Sequence, residues 1–329
     1  MMKLKGWLVA GSLLFAGSSL SAIAASSSGE LLDQAQASQL VHRVTEAPKT
    51  LTFQGIYIQQ RHNFMQSYRV FHQGGGGSDV ERRESLDGPQ LEYLRHGDLI
   101  SVFTPDARPV TLDRRHTSKM FPRQFPDQAD ELLGNYQIRK IGRERVAGLD
   151  ADIYDFEPRD RYRFPHRYWI DSGSGLMLKT VMYGARREVT EIFSFSQINI
   201  GGALDKRLLK PVNPVRPVVL EQLPQNVVAD SHWQINDLPP GFKLFRQLKR
   251  NLPGKNKPVL HYLYGDGLVT VSVFIEPIDP RMPQGLTQQN GISLYSRQIG
   301  GYMVTALGEV PSDTVQAFSQ AFTPRGNDK

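Results

Sequence analysis

The chain has 329 residues, of which 40% are apolar and 22% are charged, and its formal net charge is +6. This composition excludes a disordered, collagen-like or coiled-coil protein, and the length exceeds what one hydrophobic core usually fills, so two domains are expected. There is no cysteine, which excludes disulfide scaffolds, thiolate metal sites and cysteine nucleophiles. The basic excess is compatible with an anionic partner or with an ordinary solvated surface.

The first 24 residues have the layout of a secretory signal peptide. Lys3 and Lys5 precede an apolar run over residues 7–16, and small residues then lead to Ala22-Ile23-Ala24, where cleavage after Ala24 is expected. A membrane anchor would need roughly 20 apolar residues, and this run is shorter. The sequence therefore predicts a soluble exported protein, which argues against nucleic acid as a partner.

Residues 25–204 are predicted to form a mainly β domain. Ser27 and Glu30 are spaced as a capping box, and the apolar stripe after them predicts one amphipathic helix that ends near Pro48. Runs with period-two alternation follow, separated by turn signals such as Gly74-Gly75-Gly76-Gly77, and a short helix is expected over residues 127–133. The predicted strands cover residues 51–59, 65–72, 91–103, 153–157, 167–171, 176–183 and 189–200. Many strands with few helices predict a large antiparallel sheet, curved or rolled, with the helices packed on one side.

A proline-rich linker and a second domain are predicted to follow. Residues 205–230 contain prolines at positions 211, 214, 217 and 224, a spacing that argues against a helix or a central strand. Residues 231–323 are predicted to form a smaller α+β domain, with strands at 259–264, 268–276 and 302–307. Its last helix is expected to begin near Ser312 and to bury one apolar face. The fold class is therefore α+β, mainly β.

No arrangement of residues in the sequence points to catalysis. The eight histidines are scattered, no two of them have i, i+4 spacing, and neither an H-E-x-x-H string nor a G-x-S-x-G elbow occurs. The glycine run at 74–77 lacks the lysine and hydroxyl residue of a phosphate-binding loop. Paired carboxylates are uninformative, because any chain with 33 acidic residues contains some. We therefore expect a protein that is not an enzyme and that uses no metal or cofactor.

Several predicted strands carry pairs of large apolar side chains at alternate positions, and alternate side chains share one face of a strand. Such pairs are open to two interpretations. They form a core beneath the helices, or they line a pocket for acyl chains on a sheet face that is not completely filled. The candidate lipid-binding residues are Phe53, Ile56, Ile58, Tyr154, Phe156, Trp169, Phe193 and Phe195.

Arginines interleaved with aromatic residues form a second candidate surface. The planar guanidinium group suits phosphates and carboxylates, and an exported protein meets phosphates in lipid headgroups and in the lipopolysaccharide core. The alternative interpretation is a surface that keeps the protein soluble. The candidate residues for an anionic headgroup or a partner are Arg161, Arg163, Arg167, Arg186 and Arg187.

An ordered series of short motifs connects the chain with a known family. The motifs are Leu86-Asp87-Gly88-Pro89, Phe103-Thr104-Pro105, Gly142-Arg143-Glu144-Arg145-Val146-Ala147-Gly148, Pro158-Arg159-Asp160-Arg161-Tyr162-Arg163, Trp169-Ile170-Asp171, Gly175-Leu176-Met177-Leu178-Lys179, Leu238-Pro239-Pro240-Gly241-Phe242 and Tyr264-Gly265-Asp266-Gly267-Leu268. In their order and spacing they resemble the periplasmic MucB/RseB family, which regulates the envelope-stress sigma-E pathway. The resemblance covers both predicted domains, and the glycine-rich loop at residues 73–78 departs from it.

The resemblance implies a fold and a function. The larger domain would be a half-open β-barrel similar to the lipoprotein carriers LolA and LolB. The smaller domain would help to hold the periplasmic part of a membrane-spanning anti-sigma factor of the RseA/MucA type. A bound family member shields this factor from the site-1 protease DegS, and lipopolysaccharide or mislocalised lipid in the larger domain releases it. A periplasmic location and self-association into homo-oligomers are also implied.

A LolA-type carrier of lipid or lipoprotein is the alternative function. A pure carrier has one domain and needs no second module for a protein partner, so the predicted domain at residues 231–323 favours the regulator. An exported hydrolase would require a polar triad or a metal cluster, and the sequence offers neither.

Overall fold

A computed structural model describes residues 29–75, 79–97, 99–105, 107–113, 120–212, 218–219, 232–250, 258–279, 282–289 and 291–325. The predicted signal peptide and most of the predicted linker lie outside these ranges. Within them, no helix is both long and apolar enough to span a bilayer. The described residues form one large sheet, a smaller sheet and a two-stranded ribbon.

The large sheet contains 13 strands. They are β1 (Glu30–Leu31), β2 (Phe53–Arg61), β3 (Phe64–Gln73), β4 (Val80–Ser85), β5 (Glu92–His96), β6 (Leu99–Thr104), β7 (Ala107–Asp113), β8 (Tyr136–Val146), β9 (Leu149–Pro158), β10 (His166–Asp171), β11 (Met177–Tyr183), β12 (Val189–Ile200) and β13 (Val218–Val219). Their spatial order is β1-β8-β9-β10-β11-β12-β2-β3-β4-β5-β6-β7-β13. Neighbours are antiparallel except β7 and β13. The large antiparallel sheet predicted from the sequence is therefore confirmed. In the described residues its edge strands β1 and β13 do not pair with each other, so the sheet is not closed.

Helix α1 (Gln34–Thr50) begins later than the sequence predicts. Its capping box joins Asp33 and Gln36, each of which accepts a hydrogen bond from the backbone N–H of the other at 2.8–2.9 Å. Glu30 instead lies in β1, opposite Lys140 of β8. The prediction was wrong because Asp33 and Gln36 repeat the same three-residue spacing closer to the apolar stripe. The short helix α2 (Glu131–Asn135) also begins later than predicted.

A single hydrophobic core lies between α1 and the large sheet. From the helix it includes Leu40, Val41 and Val44, each at most 7% exposed. From the sheet it includes aromatic side chains that strand pairing places on one surface, which we call the inner face. The buried aromatic residues that define the inner face are Phe53, Tyr57, Phe156, Tyr168 and Phe195.

The second domain has its own sheet and its own core. Its elements are β14 (Trp233–Ile235), β15 (Lys243–Arg250), β16 (Val259–Gly265), β17 (Thr270–Pro277), β18 (Gly285–Gln289), β19 (Ile292–Ile299), β20 (Tyr302–Gly308), α3 (Ser312–Ala321) and β21 (Phe322–Pro324). Six strands follow the order β15-β16-β17-β20-β19-β18, and β14 pairs with β21. Helix α3 begins at Ser312 as predicted, and Val315, Phe318 and Phe322 are completely buried. Between the two domains, Lys206–Leu209 form a short 3-10 helix and two linker residues form β13.

Candidate lipid-binding face and domain interface

Phe121 covers one part of the inner face. Its ring stacks on Phe193 at a centroid distance of 5.4 Å, and it lies 5.2 Å from Tyr57 and 5.1 Å from Phe195. Phe121 itself is 0% exposed. Aromatic rings at these distances contribute attraction beyond the burial of their area, so Phe121 is firmly packed against the sheet.

Phe125 covers a second part of the inner face in the same manner. Its ring lies 5.3 Å from Phe156 and 5.0 Å from Tyr168, and the latter two rings are 4.8 Å apart. Phe125 is 5% exposed. We call residues 120–135 the covering segment, because its aromatic side chains occupy the surface that acyl chains would contact.

The eight residues predicted to bind lipid do not share one surface. Directly paired residues share a face of the sheet, and Tyr154 pairs with Tyr168 as Phe195 pairs with Tyr57. With strand alternation, these pairings place five of the eight residues on the inner face: Phe53, Tyr154, Phe156, Phe193 and Phe195. Ile56 and Ile58 are offset from Phe53 and Tyr57 by odd numbers of residues, and Trp169 follows Tyr168. Since successive side chains in a strand point to opposite faces, these three residues lie on the outer face of the sheet.

Trp169 is buried on the outer face by polar neighbours. Its indole N–H donates to Glu144 Oε2 at 2.8 Å, and Lys179 Nζ lies 4.2 Å from the ring centroid. The outer face therefore uses long charged side chains to cover its apolar groups, whereas the inner face is covered by α1 and by the covering segment.

Tyr57 and Phe121 are central to the candidate site, and neither is among the candidates drawn from the sequence. Tyr57 lies on the same face of β2 as Phe53, so strand alternation alone could have identified it as a candidate. Phe121 and Phe125 come from a segment without periodicity. No local pattern indicates that their rings reach across to β2, β9 and β12.

A buried charged cluster lies on the inner face beside these aromatic rings. Glu81 accepts from Arg83 at 2.6 Å and lies 3.2 Å from His72 Nδ1 and 3.6 Å from Arg95. Burial alone would raise the pKa of the Glu81 carboxyl, but Arg83 and its other partners hold that pKa well below its usual range. His72 is fixed on its other side by the Pro48 carbonyl, 2.6 Å from Nε2.

Ionic and polar contacts hold the covering segment in place. Arg123 pairs with Asp79 at 2.6 Å, and Thr45 of α1 donates to the Pro126 carbonyl at 3.4 Å. Near the end of the segment, Asp130 accepts from Ser38 Oγ at 2.7 Å and lies 2.8 Å from His42 Nε2. The segment is therefore attached both to the sheet and to α1.

Arg163 lies at the interface between the two domains and not on a surface. Its Nε lies 2.6 Å from Asp266 Oδ2, and both side chains are 0% exposed. It also donates to the Pro240 carbonyl at 2.7 Å, and its guanidinium carbon lies 4.4 Å from the Phe242 ring centroid. A side chain enclosed by these partners is not accessible to a headgroup in this conformation.

The other four predicted arginines have different environments. Arg167 is bidentate to Asp155 on the outer face, and Arg187 is bidentate to Glu157. Arg161 is exposed and lies 3.6 Å from Asp313, and Arg186 is exposed as well. The five arginines therefore do not form one anion-binding patch.

The covering segment also contributes to the domain interface. Glu131 pairs with Lys243 at 2.7 Å, and Asn135 donates to the Asp266 carbonyl at 3.4 Å. Next to the segment, the Tyr136 hydroxyl donates to Asp266 Oδ2 at 3.2 Å. One stretch of chain therefore fills the inner face and supports the second domain.

His166 makes the stability of this region sensitive to pH. Its buried ring stacks on Tyr168, and its Nε2 has no hydrogen-bond partner in the described residues. Burial lowers the pKa of His166 to about 4. The unfolded chain binds a proton near pH 6.5 and the folded chain does so only near pH 4, so stability is lost as pH falls through this window, by up to about 3 kcal/mol.

We therefore expect His166→Phe to flatten the dependence of the unfolding free energy on pH between 6.5 and 4. Urea unfolding at a series of pH values measures this slope. His62→Phe, at an exposed turn, is the control that should leave the slope unchanged. An identical slope in wild type and His166→Phe would contradict the assignment.

Comparison with known proteins assigns the chain to a family. The MucB/RseB N-terminal domain model matches residues 36–213, and the MucB/RseB C-terminal domain model matches residues 227–323. The chain therefore belongs to the MucB/RseB family. It is 31% identical over 300 residues to the sigma factor AlgU regulatory protein MucB of Pseudomonas aeruginosa, covering 88% of this chain and 92% of that protein.

Further relatives agree with this assignment. The chain is 28% identical over 290 residues to the sigma-E factor regulatory protein RseB of Haemophilus influenzae, covering 88% of this chain and 91% of that protein. Among solved structures, MucB in the complex of Pseudomonas aeruginosa MucA and MucB is similar, with a TM-score of 0.73, 28% identity, and coverage of 88% of this chain and 99% of that chain. The Pseudomonas and Haemophilus relatives are both regulatory proteins of a sigma factor.

Proposed function

We propose that this chain is a periplasmic negative regulator of the envelope-stress sigma-E response. It binds the periplasmic part of a membrane-spanning anti-sigma factor and shields that factor from site-1 cleavage. The observation that carries the proposal is the similarity to MucB in its complex with MucA, which extends over both domains. The buried pair between Arg163 and Asp266 supports it, because two domains held by such contacts can present one continuous surface to a partner.

We propose further that lipopolysaccharide or lipid in the larger domain releases the anti-sigma factor. A ligand displaces a partner only to the extent that it binds the free form better than the bound form. Acyl chains on the inner face would displace Phe121 and Phe125, and the same segment contacts the second domain through Glu131 and Asn135. Displacement would thereby change how the second domain is held.

A carrier of lipid or lipoprotein is the second candidate. The aromatic inner face is the observation that favours it, because a carrier needs an apolar surface for acyl chains. The second domain, with a complete core of its own, has no part in such a function. A carrier would bind lipid without any affinity for the anti-sigma factor.

Phe193→Asp tests the proposed function on the inner face. Phe193 is only partly buried, so the fold should survive, whereas a carboxylate there opposes acyl chains. The expected result is normal binding to an immobilised periplasmic segment of the cognate anti-sigma factor. Release should require roughly ten times more lipopolysaccharide, because the contact between the Phe193 ring and the acyl chains is lost.

Ile58→Asp is the matched control. Ile58 lies on the outer face at a similar degree of burial, opposite Ser194 and Ser67. It should bind and release like the wild type. If the same concentration of lipopolysaccharide releases both variants from the anti-sigma segment, the lipid site lies elsewhere. If the wild type does not bind that segment, the carrier function is favoured.

A further inference from the structure

The start of the predicted linker is bound to the outer face of the larger domain. The 3-10 helix Lys206–Leu209 lies against β3 and β4, and Leu209 is 8% exposed. Asp205 caps this helix by accepting from the Arg207 N–H at 2.9 Å. A proline-rich linker ordinarily acts as an extended, solvated spacer. The burial of a leucine within it therefore indicates a specific place of attachment on the sheet.

A buried ion pair forms this place of attachment. Arg82 and Glu92 are 5% and 4% exposed, and Arg82 Nε donates to Glu92 Oε1. Both groups also bind the linker backbone. Arg82 Nη1 donates to the Leu208 carbonyl at 3.3 Å, and Glu92 Oε2 accepts from the Val212 N–H at 3.2 Å. Hydrogen bonds to charged groups are stronger than those between neutral groups, so the pair holds the linker at two points.

The sheet itself positions Arg82 for this contact. Glu84 accepts from Arg82 Nη2, and the Phe71 ring centroid lies 5.6 Å from the guanidinium carbon of Arg82. Phe71 pairs with Arg82 and Arg69 pairs with Glu84 in the β3–β4 register, so these side chains share the outer face. Arg69 in turn binds Glu84 at 2.7 Å. The guanidinium group is thus oriented by neighbours that do not belong to the linker.

Further along the chain, the linker adds a strand to the large sheet. Val218 and Val219 pair in parallel with Val110 and Thr111 of β7. This pairing satisfies backbone groups that an edge strand would otherwise leave unpaired. We call residues 205–212 and 218–219 the strap, because both stretches attach the linker to the larger domain.

We propose that the strap limits how far the second domain can move away from the larger domain. A free chain from Ile200 to His232 would span up to about 110 Å, whereas the chain from Val219 to His232 spans at most about 45 Å. A shorter tether raises the effective concentration of one domain near the other, by about fourfold for this change in length. The strap therefore favours return to the interface at Arg163 and Asp266 when that interface opens. The device acts within the chain and needs no partner.

Trypsin reports whether the strap is attached. Between residues 205 and 230 it can cut only after Lys206 and Arg207, because the other two basic residues there precede proline. Leu209→Ala should accelerate this cleavage at least about tenfold, since it removes a buried side chain and cleavage follows the population of the detached form. Val212→Ala truncates a side chain that is 61% exposed and should be cut at the wild-type rate. Fragment masses over time measure both rates.

Glu92→Gln tests the attachment from the side of the sheet. It removes the charge that binds Arg82 and the Val212 N–H, so it should also accelerate cleavage after Lys206 and Arg207. Combined with Leu209→Ala it should add little, because both changes release the same segment. Fully additive effects of the two substitutions on the cleavage rate would contradict a single strap.

The distance between two spin labels measures the reach of the second domain. The chain has no cysteine, so Arg186→Cys and Gln320→Cys place one label at an exposed position in each domain. The Arg163→Ala background weakens the interface. In this background Leu209→Ala should extend the distances and raise the ratio of separated to docked molecules about fourfold. Val212→Ala should change neither quantity.

Two results would overturn the proposal. Equal cleavage of Leu209→Ala and Val212→Ala would mean that the strap is not held by its buried leucine. Faster cleavage of Leu209→Ala with unchanged label distances would mean that the linker is attached there without limiting the second domain.

Discussion

Arg163→Ala is expected to destabilise the protein by about 3–5 kcal/mol, because breaking a buried ion pair leaves an uncompensated charge. The charge that remains is that of Asp266, which is completely buried and contacts the larger domain through Arg163 and Tyr136. Two consequences should be measurable. The unfolding transition shifts to lower urea, and protease cleavage in the linker at 205–230 becomes faster because the domains separate.

Two controls make this result specific to the interface. Arg161→Ala removes an exposed arginine two positions away, 3.6 Å from Asp313, and should leave both measurements unchanged. Adding Asp266→Asn to Arg163→Ala should restore part of the stability, since it removes the unpaired charge. Equal stability of the Arg163 and Arg161 variants would mean that the domains do not depend on this pair.

Phe156→Ala is expected to destabilise the larger domain alone, by about 3–5 kcal/mol, through the cavity that it leaves. Phe156 is 1% exposed and contacts Phe125, Tyr136 and Tyr168. Peptide-resolved hydrogen exchange in increasing urea should show earlier exchange in β8 to β11. Strands β16 and β17 of the second domain should keep their protection.

Phe322→Ala provides the reciprocal measurement. It removes a completely buried ring that contacts Tyr262 and Tyr264 in the core of the second domain. In this variant, hydrogen exchange should become faster in β16 and β17 and should be unchanged in β8 to β11. If both variants accelerate exchange equally in all of these strands, the two cores unfold as one unit and the division into domains at residues 205–230 is wrong.

Local patterns predicted the parts of this fold that depend on local physics. Alternation identified strands such as β2, β3 and β12, but it missed β4 and β8 and merged β5 with β6. The apolar stripe of the last helix located its start at Ser312. The start of the first helix was misplaced by six residues, because Ser27 with Glu30 and Asp33 with Gln36 have the same spacing. Two equivalent caps near one stripe cannot be ranked without knowing that Glu30 pairs with Lys140.

The candidate site was only partly predictable, because its decisive contacts join distant parts of the chain. Arg163 stands in a run of bases and aromatics that suggests a binding surface, and only its contact with Asp266 reveals an interface. Phe121 belongs to a segment without periodicity, so its position over Phe193 follows from tertiary packing alone. Ile56 and Ile58 are a different case, since counting from Phe53 already places them on the opposite face.

Cleavage of the anti-sigma factor by the site-1 protease is the most direct test of the regulatory account. The cognate periplasmic segment is incubated with the protease alone, with saturating chain, and with chain plus lipopolysaccharide. We expect slow cleavage in the presence of the chain and recovery of the full rate when lipopolysaccharide is added. Equal rates with and without the chain, or shielding that lipopolysaccharide does not relieve, would contradict it.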